Sequence, residues 1–152
     1  MCCYAALIEP MPIRCTIQRE VDIYVALAHV RELVRTAEFT PTDCTRVEIA
    51  TLELTRNLLV HAGGGTFTLT RLDDPILGAG IAVEALDHGP GIANLDLALQ
   101  DGYSTTRTLG AGLPAVRRLM DEFVIESTVG VGTRVHAVKW RTPPRRRTIY
   151  GH

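Results

Sequence analysis

Apolar residues follow a strand period and then a helical period in the first half of the chain. Residues 12–19 alternate, with Ile13, Cys15 and Ile17 on one side, which predicts a half-buried edge strand. Residues 21–39 place apolar side chains every three to four positions, as does a second segment from about residue 43 to residue 61. Pro41 separates the two patterns and three glycines follow the second. We therefore expect a strand followed by two long helices.

The second half of the chain returns to strand patterns and contains shorter helices. The predicted elements are strands at 66–72 and 80–86 around a turn, a short helix at 95–99, a polar loop at 101–108, a helix at 111–122, and a terminal hairpin of strands 123–127 and 133–140. This order predicts an α+β protein: a two-layer α/β sandwich with a mixed, mostly antiparallel sheet and helices on one face. Its size predicts a single domain over residues 1–141.

Charge divides the chain into an acidic body and a basic tail. Of its 16 Lys and Arg residues, four lie among the last twelve residues, which contain no acid, so the body holds 12 basic against 17 acidic residues. Aromatic residues make up only 5% of the chain. A nucleic-acid domain would show a basic face with interleaved aromatics, so no nucleic-acid partner is expected. We interpret residues 142–152 as a basic, disordered tail.

Cysteine spacing and hydropathy favour a cytoplasmic protein. The four cysteines form no Cys-x-x-Cys pair and have no metal-ligand spacing to the histidines. No stretch approaches the roughly 18 to 20 apolar residues of a membrane-spanning helix, and the N-terminus lacks a basic start to a signal peptide. We expect reduced cysteines, a cytoplasmic location and no membrane contact.

The fragment from Asp87 to Ile92 reads Asp-His-Gly-Pro-Gly-Ile and follows an apolar strand. A carboxylate there can accept a hydrogen bond from the 6-amino group of adenine, whereas guanine presents an acceptor at that position. Gly89 and Gly91 allow the backbone to approach a flat base. The sequence therefore predicts ATP selection at Asp87, although Asp, Gly and Pro are also ordinary turn residues.

The fragment Gly110-Ala111-Gly112-Leu113 opens a predicted helix whose free amides suit phosphate oxygens. It also fits a dinucleotide fingerprint, but no buried strand precedes it and no acidic residue follows about 20 positions later. A Walker loop needs a lysine after its glycines, and the one lysine of the chain is Lys139. The polar loop before the fragment offers Arg107 as a candidate γ-phosphate contact.

Glu53 and Asn57 lie one turn apart on the second predicted helix, beside its apolar stripe. An Asn oxygen can be the single protein ligand of a Mg²⁺ ion that otherwise binds water and phosphate. Glu53 can accept the proton of an attacking hydroxyl or water. Alone, this spacing is typical of a solvated helix face; together with the two glycine fragments it indicates a nucleotide site.

These fragments, with the late Gly132-Thr133, resemble the motif boxes of the GHKL ATPases, the superfamily of gyrase, Hsp90, histidine kinases and MutL with the Bergerat ATP-binding fold. Residues 101–105 and 110–123 are similar to the RsbT-type switch kinases of bacterial stressosomes, within the anti-sigma regulatory factor family. The resemblance implies a Mg-ATP-dependent serine/threonine kinase that phosphorylates STAS-domain scaffold or antagonist proteins and then binds and activates a phosphatase. It makes Glu53 the catalytic base, Asn57 the Mg²⁺ ligand and Asp87, with Thr133, the adenine contact.

A second class of function stays open from the sequence. In a non-catalytic module, ATP would set the conformation of the loop at residues 101–109, and a helical face would bind a sigma factor or a phosphatase. Phosphate transfer to a partner protein distinguishes the two.

Overall fold

The computed structural model describes residues 11–100 and 112–141 as one layer of helices on one sheet. The elements in chain order are β1 (Ile13–Ile17), α1 (Glu20–Thr36), α2 (Pro41–Ala62), β2 (Gly65–Asp74), β3 (Gly78–Asp87), α3 (Leu95–Ala98), α4 (Leu113–Leu119), β4 (Glu122–Thr128) and β5 (Gly132–Trp140). The predicted α+β sandwich is confirmed. The loop at 101–108 and the tail at 142–152 lie outside the described residues.

Helix α2 is bounded by local signals at both ends. The Thr40 side chain accepts a hydrogen bond from the Asp43 amide at 3.2 Å, and Pro41 occupies the first turn, where its missing N–H is not needed. At the other end Gly63 takes a left-handed conformation with φ of 71°, and its amide donates to the Leu59 carbonyl. These two caps fix where the glycine-rich turn begins beyond the helix.

The five strands form one sheet in the order β1-β2-β3-β5-β4. All four pairings in the described part of the chain are antiparallel, so the sheet is not the mixed one that the sequence predicted. β4 runs in the same direction as β3 but lies at the edge of the sheet. The β4–β5 hairpin then turns the chain back, so that β5 pairs with β3 in the antiparallel sense. The last two strands form the predicted hairpin.

The core lies between the sheet and the helices. Its fully buried members include Phe67, Leu69 and Ile81 from the sheet, and Leu54 and Leu58 from α2. On the opposite face of the sheet a small second cluster comprises Ala82, Val138 and Trp140, packed with Leu72 and Leu77. The helices therefore cover one face, as predicted, and the pattern of alternation along β2 and β3 decides which side chains meet α2.

Lys139 lies on the core side of β5 and is 4% exposed. Its ammonium group contacts Asp121 at 3.0 Å and Asp43, at the start of α2, at 3.7 Å. Asp121 also accepts the Trp140 amide at 2.8 Å. A buried ammonium needs such partners, because an unpaired charge in the interior is costly. The cluster joins the end of β5 to the beginning of α2.

Helix α4 is shorter than the predicted helix at 111–122. Met120, its C-cap, is already extended, and β4 begins at Glu122. Apolar spacing continues across this boundary because Val116 in α4, Met120 at its C-cap and Phe123 in β4 all pack in the core, so the periodicity alone does not mark the end of the helix. Among the described residues, no helix has the length and apolar content needed to cross a membrane.

Candidate nucleotide site

Asp87 is the last residue of β3, and its carboxylate is held from two sides. Its Oδ1 accepts the backbone amide of Gly89 at 2.9 Å and that of Thr133, on β5, at 3.2 Å. Within residues 11–100 and 112–141, no donor contacts Oδ2. One carboxylate oxygen is thus fixed by the backbone while the other remains an acceptor for a ligand, which is the arrangement expected for reading an exocyclic amine.

The two glycines after Asp87 lie too close to neighbouring elements to carry a side chain. A Cβ on Gly89 would lie 2.7 Å from the Cβ of Ala62, at the end of α2. Gly91 has a φ of 74°, and a Cβ there would collide with the carbonyl of Thr128 on β4. The turn is therefore pressed between α2 and the terminal hairpin, and these positions accept no side chain.

The hairpin between β4 and β5 holds this turn in place. The Gly130 amide donates to the Pro90 carbonyl at 2.9 Å, and the Ile92 amide donates to the Ser127 hydroxyl at 2.8 Å. Gly132, with φ of 145°, packs so closely against the Asp87 backbone that a Cβ would overlap its carbonyl. The predicted base-contact residues Asp87, Gly89, Gly91, Ile92 and Thr133 thus form one connected structure.

Glu53 is buried in α2, with 3% exposure. Burial raises the pKa of its carboxyl group, while Arg56 and a hydrogen bond from the Gly112 backbone amide act in the opposite direction. The hydrogen bond joins α2 to the residue that precedes α4. Two of the three sequence fragments therefore meet here, at a carboxylate that burial makes a stronger base.

Asn57 follows Glu53 by one turn of α2 and is half-buried. Among the described residues its side-chain amide has no hydrogen-bond partner. Helix α2 extends about 13 to 14 Å between Glu53 and Ala62, at 1.5 Å per residue. Ala62 contacts the turn that follows Asp87. One helix thus borders the site from the Asp87 turn to Glu53, an extent that suits an elongated ligand.

Gly112 caps α4 with φ of 64° and ψ of −136°, and Leu113 begins the helix. Arg107, Gly110 and Ala111, also predicted to contact phosphates, lie outside the described residues. In residues 11–100 and 112–141, no group of three or more His, Cys, Asp or Glu side chains could hold a metal ion. An Asn oxygen completed by waters and phosphate does not need such a group, so the donor set at Asn57 fits Mg²⁺.

Sequence reasoning missed Ser127. Its hydroxyl contacts the Thr133 hydroxyl at 2.8 Å, the Gly132 carbonyl at 3.3 Å and the Ile92 amide. The signal was present in the predicted hairpin, because its strands end at residue 127 and begin again at residue 133, which makes these two residues a pair across the turn.

The chain matches a family model described as a histidine kinase-like ATPase domain over residues 18–139. It is 40% identical over 124 residues to the serine/threonine-protein kinase RsbT of Bacillus subtilis (strain 168), covering 82% of this chain and 92% of that protein.

One further relative supports the family, and one solved structure supports the fold. The anti-sigma F factor of Geobacillus thermodenitrificans (strain NG80-2) is 30% identical over 124 residues, covering 75% of this chain and 82% of that protein. Among solved structures, the catalytic domain of the histidine kinase ThkA superposes with a TM-score of 0.51 at 18% identity, covering 86% of this chain and 97% of that one. The latter likeness supports the fold alone.

Proposed function

This chain belongs to the histidine kinase-like ATPase family, and from that premise we propose that it is a Mg-ATP-dependent serine/threonine protein kinase of a bacterial stress-response partner-switching system. The observation that carries the proposal is the buried Glu53 carboxylate, in contact with the amide that precedes α4. A base is needed there for transfer to a hydroxyl, and the similarity to RsbT extends through that segment.

In the proposed reaction, Glu53 accepts the proton of a substrate Ser or Thr hydroxyl. The hydroxyl oxygen bonds to the γ-phosphorus, the bond from that phosphorus to the β-γ bridging oxygen breaks, and ADP leaves. The raised pKa of Glu53 brings its basicity closer to the operating pH, where a general base is most effective.

Asp87 and Asn57 hold the two ends of the nucleotide in this proposal. Asp87 Oδ2 accepts from the adenine 6-amino group, supported by the fixed geometry of Oδ1. The Asn57 oxygen would hold Mg²⁺, which would neutralise phosphate charge. Gly112 and Leu113, together with Arg107, Gly110 and Ala111, are proposed to contact the phosphates.

The partners follow from the resemblance to RsbT-type kinases. We propose STAS-domain scaffold or antagonist proteins as substrates and a phosphatase as the later binding partner, in the cytoplasm.

A second candidate function is an ATP-gated binding module. Relatives named anti-sigma F factor favour it, because that name refers to a sigma factor and not to a kinase activity. In this alternative the chain retains a sigma factor or a phosphatase, and ATP sets the conformation that binds.

An assay with radiolabelled ATP distinguishes the kinase from the binding module. The purified chain is incubated with labelled ATP and candidate STAS-domain proteins, and label on a partner Ser or Thr supports the kinase. Glu53→Gln should retain ATP binding and lose transfer, whereas Thr68→Ala, a hydroxyl deletion on the outer sheet face, should transfer normally. Normal transfer by Glu53→Gln would contradict the base assignment; ATP-dependent retention of a sigma factor without any transfer would favour the binding module.

A further inference from the structure

Asp87, Thr133 and Ser127 form one row across three strands. Asp87 lies opposite Thr133 in the β3–β5 pairing, and Thr133 lies opposite Ser127 in the β4–β5 pairing. Residues directly opposite each other in an antiparallel sheet project from the same face. This is the face of the core, because the next row inward comprises Ala85, Val135 and Ile125. The row therefore borders the nucleotide site on the side of α2.

The Ser127 hydroxyl has three polar neighbours, and in one arrangement of protons all three contacts are hydrogen bonds at once. The Ile92 amide can only donate to Ser127 Oγ, at 2.8 Å, and the Gly132 carbonyl can only accept, at 3.3 Å. A serine hydroxyl has one proton and two lone pairs. The Thr133 hydroxyl lies 2.8 Å away, and either oxygen is chemically able to donate. Only with Thr133 as the donor does the Ser127 proton remain for Gly132, so this is the arrangement that satisfies all three contacts.

This direction leaves Thr133 without a proton for the ligand. Its Oγ1 becomes an acceptor on the residue paired with Asp87, whose Oδ2 is also an acceptor. A purine 6-amino group, or a water bound to it, can donate to both, while a 6-oxo group can donate to neither. A Thr133 hydroxyl that could turn freely would donate to a 6-oxo group and weaken the discrimination.

We propose that Ser127 is a specificity-determining positioning residue, which fixes Thr133 as a hydrogen-bond acceptor so that the base site prefers 6-amino over 6-oxo purine nucleotides. The inference rests on the proposed function only for adenine binding at Asp87, not for phosphate transfer. It assigns a role to a residue that touches no base itself and acts through Thr133.

The test compares two ligands on the full chain. Dissociation constants for ATP and inosine triphosphate are measured by calorimetry for the wild type, Ser127→Ala, Ser127→Thr and the control Thr68→Ala. We expect the wild type and Thr68→Ala to prefer ATP by the same ratio. Ser127→Ala should lower that ratio about fivefold, the worth of one ordinary hydrogen bond, and Ser127→Thr should restore it.

The ratio, rather than either affinity, decides the outcome. If Ser127→Ala weakens both nucleotides by one factor and leaves the ratio unchanged, Ser127 is merely structural and the proposal is overturned. If the wild type shows no preference for ATP, adenine recognition at Asp87 fails, and the inference fails with it. Should Ser127→Ala not fold, Ser127→Cys replaces it, because a thiol is a weak donor and a weak acceptor, and the same loss of ratio is expected.

Discussion

Replacing Asp87 by Asn changes one atom of the site that faces the ligand. In the wild type, Oδ1 accepts the amides of Gly89 at 2.9 Å and Thr133 at 3.2 Å. An Asn can present its carbonyl oxygen to both amides and so keep the turn. Its second position then becomes an NH₂ group, which meets the adenine amine donor to donor.

The cost to ATP binding follows from these contacts. A hydrogen bond to a charged acceptor is worth about 1.5 to 3 kcal/mol, and a buried donor without a partner costs about 1 to 3 kcal/mol more. At about 1.4 kcal/mol per tenfold, Asp87→Asn should weaken ATP binding by about two to four orders of magnitude. The free energy of unfolding without nucleotide should change little, because both backbone hydrogen bonds persist.

Calorimetry with ATP and inosine triphosphate, together with urea denaturation, tests this reasoning. Inosine triphosphate should lose much less affinity than ATP, because its 6-oxo group accepts from the new NH₂ group. Asp87→Ala is the matched comparison: it leaves the Gly89 and Thr133 amides unpaired and should also lower the free energy of unfolding. ATP affinity within threefold of the wild type in Asp87→Asn would refute the assignment of Oδ2 to the base.

Three further substitutions test the structure around the site. Burial raises the pKa of Glu53, so above about pH 4 the folded chain keeps a proton that the unfolded chain loses. Glu53→Gln should therefore match the stability of the wild type near about pH 4 and exceed it increasingly as pH rises toward the folded pKa. A pH-independent difference in urea denaturation would contradict this. Gly91→Ala should lower the free energy of unfolding by about 2 to 5 kcal/mol, because φ is positive there and the added Cβ would collide with backbone. Gly130→Ala also has a positive φ, but its Cβ would meet open space, so the loss should be about 1 to 2 kcal/mol. Equal losses would contradict the steric argument. Lys139→Met should cost about 3 to 5 kcal/mol by leaving the partly buried Asp121 carboxylate without its cation. Adding Asp121→Asn should recover part of that loss, measured as a double-mutant cycle.

The fold was largely predictable because its signals are local. The helical periods, the glycines after α2 and the turn of the last hairpin each act over a few residues, and the structure confirms the corresponding elements. Lys139 was not predictable in the same way. Strand alternation places it on the core side with Val135 and Ala137, yet a lysine is seldom buried. Its carboxylate partners make that burial tolerable: Asp121, 18 positions away in sequence and brought close by the β4–β5 pairing, and Asp43 at the start of α2.

Glu53 illustrates the corresponding limit within the site. Its position beside the apolar stripe of α2 was read from sequence, but its 3% exposure depends on what packs over it. From sequence, a polar residue next to a core stripe is expected to be exposed to solvent unless another element covers it. Here Gly112 is part of what covers Glu53. Such conflicts between local pattern and burial concentrate at functional sites, because catalysis requires a carboxylate that folding alone would not bury.

The glycines of the site are of two kinds, and this difference bears on how the two ends of the nucleotide would be held. Gly89, Gly91 and Gly132 are pressed against Ala62, the hairpin and the Asp87 backbone, so their turns have one arrangement. A Cβ on Gly112 would meet no atom of the described residues within 4 Å, so glycine is required there only for its φ of 64° with ψ of −136°. In the proposed site, the base end would therefore be fixed by packing, whereas the phosphate end would be fixed by backbone conformation and by the Glu53 carboxylate. A backbone torsion can change without disturbing the core, so nucleotide-dependent rearrangement is expected at Gly112 rather than at Asp87.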